Sequence, residues 1–241
     1  MGKYLACLGG SETFGRFVGQ PFAAQLEQAL GLPVINLGSV NAGLDAFLAE
    51  KPVLDIAAGA RASVVQLSGA QNLSNPFYRV HPRRNDRFIE PSERLATLFP
   101  EVDFTEVHFT RHLLALLRRT DPARFGELRA TLRTAWLERM GRLLRRLGPD
   151  TVLLWLRYPD TLPEARDLGP EPLMVDRPLI AALRPLPREL VEVPVIPSIH
   201  SGDLDMMSYA PMERPVAEQA LGPAAHHDIA DRLMRTLRSH A

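Results

Sequence analysis

The chain has 241 residues, 46% of them hydrophobic and 23% charged, with 28 basic and 28 acidic side chains that cancel. Zero net charge gives no global field toward nucleic acid or an anionic membrane. A single cysteine excludes an internal disulfide framework and a cysteine-based zinc cluster, and no apolar run approaches the ~18 residues of a membrane span.

These limits point to a soluble, cytoplasmic protein, and the length suits one α/β domain over 1–241. Residues 4–8 form a short apolar run that predicts a buried strand holding Cys7. The run leads into Gly9-Gly10-Ser11-Glu12-Thr13-Phe14-Gly15, a small-residue turn with one serine hydroxyl. A helical pattern covers about 17–30, with Pro21 suited to a first turn. A strand, a glycine turn and a helix in this order present a nucleophile or a phosphate cradle at the carboxyl edge of a sheet.

Residues 32–39 predict a second strand and its turn, and two short helices follow over 44–50 and 53–60. Residues 63–69 predict a third strand, ending in Ala70-Gln71-Asn72. No periodicity marks 73–91, which reads as a long loop inserted into the domain. Helical patterns return at 92–99 and 104–118 and are strongest at 122–147. There Phe125, Leu128, Leu132, Trp136, Met140 and Leu144 make one stripe, and Gly148-Pro149 stops the helix. Residues 151–156 predict a strand covered on both faces, and 179–183 a short helix. A fifth strand over 190–196 carries Pro194, which assigns it to an edge. Residues 198–212 look irregular, and helices near 215–221 and 224–237 close the chain. Strands alternating with helices predict a flavodoxin-like, three-layer α/β/α fold with a five-stranded parallel sheet in the order 2-1-3-4-5. Its site is expected at the switch point between strands 1 and 3.

Three turns then share one sheet edge: Gly9-Gly10-Ser11, the segment from Gly38 to Gly43, and Gly69-Ala70-Gln71-Asn72. Together they resemble the SGNH (GDSL-like) hydrolase superfamily. Its members carry a Gly-Asp-Ser block after strand 1, a glycine after strand 2, a Gly-x-Asn block after strand 3, and an Asp-x-x-His block before the last helix. The resemblance implies Ser11 as the nucleophile on an ester carbonyl and His226 as its base. It implies Gly38 as an oxyanion donor, with Asn72 or Gln71 as a further one. Two blocks depart from the pattern. Gly10 stands where an acid precedes the serine, and the Asp-x-x-His slot holds Pro223 relative to His226 and Ala224 relative to His227. A Ser–His dyad, an acid folded in from Asp205, Glu213 or Glu218, and a non-hydrolytic site all fit this sequence. His227 also reads as a residue capping or packing the last helix, His200 as a competing base, and His240 as tail.

The loop Tyr78-Arg79-Val80-His81-Pro82-Arg83-Arg84-Asn85-Asp86-Arg87-Phe88 is the second informative stretch. His81, Arg83, Arg84 and Arg87 could bind a carboxylate, sulfate or phosphate through charge-assisted bonds, and fold over Ser11 as a lid. The same loop reads as a solvated surface pairing with Asp86, Glu90 and Glu93, or as a homodimer contact. His108 and His112 have the i, i+4 spacing of a metal pair but lack the glutamate that follows the first histidine in the zincin arrangement, so no metal is expected. Neither lysine follows a glycine loop and no Gly-x-Gly-x-x-Gly is present, which argues against a P-loop and a dinucleotide site; no cofactor is expected.

The resemblance implies a serine esterase or O-acyltransferase acting on an acylated small molecule or saccharide. Two other classes compete. One is a catalytically degenerate module of the same fold holding an anionic ligand or glycan. The other is a nucleotide- or sulfonate-using transferase with the glycine turn as its phosphate cradle. No nucleic-acid partner and no membrane span are expected.

Overall fold

Mostly apolar strands of three to seven residues set the centre of the molecule. Leu5–Leu8 (β1), Val34–Asn36 (β2), Ala62–Gln66 (β3), Thr151–Arg157 and Glu189–Pro194 join one parallel sheet in a computed structural model that describes residues 2–238. Tyr78–Val80 (β4) and Phe88–Pro91 (β5) form a separate antiparallel pair, so the two remaining sheet strands are β6 (151–157) and β7 (189–194). The sheet order is β2-β1-β3-β6-β7, the expected one, and β7 with Pro194 lies at an edge. Leu5 pairs with both Val34 and Ala62, so β1 is an interior strand and its carboxyl end opens between β2 and β3. His240 lies outside the described residues.

The helices are Ser11–Phe14 (α1), Phe22–Leu30 (α2), Leu44–Ala49 (α3), Lys51–Ala58 (α4), Glu93–Leu98 (α5), Thr110–Thr120 (α6), Pro122–Leu147 (α7), Arg177–Ala181 (α8), Ser198–Ser201 (α9), Arg214–Gln219 (α10) and Pro223–Arg238 (α11). Alternation along the strands divides the core in two. Ala6, Leu8, Val65, Leu153 and Trp155 pack with the α3, α4 and α7 side, whereas Cys7, Val64, Val152, Leu154 and Leu156 pack with α2 and α11. Cys7 is fully buried, and burial pushes its thiol up to about 12. Helix α7 starts where Asp121 accepts the Ala123 and Arg124 N–H groups and Pro122 follows, and stops at Gly148 with φ +94°. Its buried Trp136 donates to Ser68 O at 2.8 Å, fastening the helix to the end of β3. Among the described residues no helix is long and apolar enough to cross a membrane.

Three expectations need correction. The helical pattern at 17–30 is one helix that starts only at Phe22, with Pro21 as the cap before α2 rather than part of its first turn, and the glycine turn before it holds the short α1, ended by Gly15 at φ +70°. The segment 73–91 contains the β4–β5 hairpin, whose three- and four-residue strands are too short for a period to register. His108 precedes α6, which begins at Thr110, so His108 and His112 do not share a helix.

Candidate functional site

Ser11 is the first residue of α1, and the turn before it is locked from β3. The Gln66 side-chain oxygen accepts from Gly10 N–H (3.1 Å), Thr13 N–H (3.2 Å) and Thr13 Oγ1 (2.6 Å). A Cβ on Gly9 would overlap both Gln66 and Thr13, so only glycine lets this amide seat itself. From the other side, Asn36 at the end of β2 donates to Thr13 O at 2.9 Å.

The Ser11 hydroxyl meets one residue, Asn41. It donates to Asn41 Oδ1 and accepts from the Asn41 N–H, each at 3.3 Å. Asn41 holds the left-handed conformation, φ +59°, which turns its N–H back toward the serine. Ser11 and Asn41 line a pocket of about 560 Å³ together with Glu12, Arg84, Gln219 and His226.

His226 lies within α11, in its first turn, rather than before the helix. Its Nδ1 accepts the Phe22 N–H at 3.1 Å, its ring stacks on Phe22 at 6.0 Å, and it is fully buried. A ring nitrogen that accepts carries no proton, so the neutral imidazole is protonated at Nε2, which has no hydrogen-bond partner. Burial pushes the imidazole down to about 4, against the charge of Asp203. Asp203 is the acid the fold brings near: it is buried, accepts from Ser201 Oγ and from Ala224 N–H at 3.0 Å, and fills the space a Cβ on Gly222 would take. The three acids named from sequence are elsewhere, Glu213 paired with Arg16, Glu218 with Arg214, and Asp205 exposed in a short turn. His227 is exposed beside Gln25, and His200 is exposed on α9.

Of the remaining expected residues, Arg84 reaches the pocket. The Gly38 N–H is committed to Asn36 Oδ1 at 2.9 Å. Asn72 Oδ1 accepts from Thr110 at 2.7 Å, and Gln71 donates to Glu171 at 3.4 Å; neither lines the Ser11 pocket. Arg83 is exposed with Glu50 at 3.8 Å, Arg87 stacks on Phe109 at 4.7 Å, and His81 Nδ1 accepts the Arg83 and Arg84 N–H groups. The loop has a structural centre the sequence reading did not single out. Buried Asn85 accepts the Gly43 and Ala46 N–H groups, capping α3, and donates back to His81 O.

The family profile described as "Domain of unknown function (DUF6473)" matches residues 1–241. The chain belongs to that family. No curated protein matches the sequence. Solved structures similar to this family member include the lipase Lip_vut3 from a goat rumen metagenome, at 13% identity over 97% of each chain and a TM-score of 0.49. A lipase/acylhydrolase from Enterococcus faecalis shares 12% identity over 99% of this chain and 96% of its own, with a TM-score of 0.46. A mutant of Axe2, an acetyl-xylooligosaccharide esterase from Geobacillus, shares 16% over 97% and 93%, with a TM-score of 0.41. At these values no residue role is carried over from them.

Sequence reasoning missed Asn41, Gln66 and Asp203. A signal existed for Asn41, since asparagine between Val40 and Ala42 in a glycine-flanked turn is the residue type that tolerates positive φ. Gln66 and Asp203 act through contacts 53 residues or more and 21 residues away, which no local pattern encodes.

Proposed function

We propose that the chain is a binding module on an SGNH-like fold that holds an anionic ligand or a glycan in the Ser11 pocket without a Ser–His relay. The observation that carries this reading is the state of His226. Its Nδ1 is occupied by the Phe22 N–H, so the ring contributes an N–H at Nε2 where a general base needs a lone pair. Ser11, Asn41, His226 and Arg84 give the wall several donors, which suits carboxylate, sulfate, phosphate or sugar oxygens.

A serine esterase or O-acyltransferase acting on an acylated small molecule or saccharide is the second reading, favoured by the clamp on Ser11. There Ser11 Oγ attacks the carbonyl, the Asn41 N–H, 3.3 Å from Oγ, stabilises the developing oxyanion, and the ester C–O bond breaks so that the alcohol leaves with the proton Ser11 gave up. His226 takes the serine proton only after it releases Phe22 and exchanges tautomer.

Intact-mass labelling with a fluorophosphonate, on wild type, Ser11→Ala and His226→Ala, separates the two. The binding reading expects no adduct on the folded protein, with thermal stabilisation by acetate, sulfate or xylo-oligosaccharide that Arg84→Ala removes. A single adduct that disappears in Ser11→Ala and slows in His226→Ala replaces it with the esterase.

A further inference from the structure

A second cavity of about 240 Å³ adjoins the Ser11 pocket, and the two share Glu12 and Gln219 as wall. Its lining combines the apolar surfaces of Pro159, Leu162, Pro170 and Pro197 with Tyr158, Glu12, Arg111 and Glu171. The two carboxylates differ in what they already hold. Glu171 meets Arg111 at 2.6 Å, the Leu173 N–H at 2.9 Å and the Gln71 amide at 3.4 Å. Glu12 receives only neutral donors, Gln66 Nε2 at 2.7 Å on one oxygen and the Tyr158 hydroxyl at 3.5 Å on the other. Among the described residues no arginine, lysine or histidine pairs with Glu12, although it is half-buried. An ionised carboxylate has room for about four donors and is costly to withdraw from water without a counter-charge. The Tyr158 hydroxyl cannot supply that charge, because burial and the nearby Glu12 and Glu171 carboxylates push its pKa well above the ordinary tyrosine value, so it stays a neutral donor.

We propose that this cavity binds an alkylammonium group, with the Glu12 carboxylate as counter-ion and the Tyr158, leucine and proline surfaces around the alkyl stem. The size and polarity fit one short amine with a hydrocarbon tail: mostly apolar walls and a single carboxylate without a counter-charge. The site does not depend on any chemistry at Ser11, and a ligand carrying both an amine and an acceptor-rich end would occupy both cavities across Glu12.

The test compares n-butylammonium with its uncharged analogue n-butanol by saturation-transfer NMR titration at pH 7, using the whole chain. Wild type is expected to prefer the amine by about tenfold, the scale of one ion pair in a partly desolvated site. Glu12→Gln keeps an acceptor for Gln66 and should bring the two ligands within about twofold of each other, the charge being all that is lost. Ser11→Ala should keep the wild-type preference. Equal binding of amine and alcohol by wild type overturns the proposal without reference to any variant. An amine preference retained in Glu12→Gln, or lost in Ser11→Ala, overturns it as well. The fluorophosphonate result leaves all of these outcomes unchanged, so the two readings fail separately.

Discussion

Gln66 is one amide on which the geometry of the Ser11 turn depends. Three donors converge on its oxygen while its nitrogen reaches Glu12. Gln66→Met keeps the length and removes the acceptor, leaving Gly10 and Thr13 N–H groups without a partner. The expected loss is about 2–4 kcal/mol, read from the urea midpoint at constant slope. His226 gives a pH signature. Its ordinary value in the unfolded chain is about 6.5, and burial holds it at about 4 in the fold. As pH falls through that window, the unfolded chain gains a proton that the folded one refuses. Stability is therefore complete above about 6.5 and declines toward pH 4, by at most about 3 kcal/mol. His226→Gln should flatten this part of the stability–pH curve measured by denaturant titration; an unchanged slope would mean the ring is not held neutral.

At the scale of elements, α7 was the most legible piece of the chain. Asp121 and Pro122 at one end, Gly148 at the other and a three-four stripe between them fix its bounds from sequence alone. Trp136 sits mid-stripe, fully buried and bonded to Ser68 O. Trp136→Ala should cost about 3–5 kcal/mol in thermal or urea unfolding, with the unpaired Ser68 carbonyl adding to the cavity term. The hairpin was not legible, whereas the last helix was expected within one residue of its start. Strands of three and four residues give too few positions for alternation; at α11 the part that sequence hid is the contact that secures its start, Asp203 accepting from the Ala224 N–H. Gly222→Ala tests that start: the added methyl overlaps the Asp203 carboxylate and should displace it, lowering stability by about 1–3 kcal/mol.

For the whole molecule, the alternation of strands and helices was enough to give the sheet order, because parallel crossovers leave few topologies. It also led to the expectation that the Ser11 turn, the segment from Gly38 to Gly43 and the strand-3 turn share one edge. It could not say which side chains meet there, since those meetings are decided by packing between distant segments: Ser11 with Asn41, His226 with Phe22, Glu12 with Tyr158. Both cores rest on β1, β3, β6 and β7, so neither can dissolve while the other persists. Both tryptophans, Trp136 and Trp155, report on the α7 side only. Their fluorescence transition should nevertheless coincide with the far-ultraviolet circular dichroism transition, and separated midpoints would show that the α2–α11 side melts on its own.

The one thiol of the chain lies in the interior strand β1, shielded on both faces and with its acidity suppressed by burial. In the closed protein it is inert to disulfide reagents, which are attacked only by the thiolate. Modification therefore waits for the middle of the sheet to part. With dilute reagent the rate of thiol loss measures the free energy of that parting, and with concentrated reagent it saturates at the parting rate itself. Cys7 is thus a built-in clock for the rarest motion of the molecule, and it can be read without attaching any label.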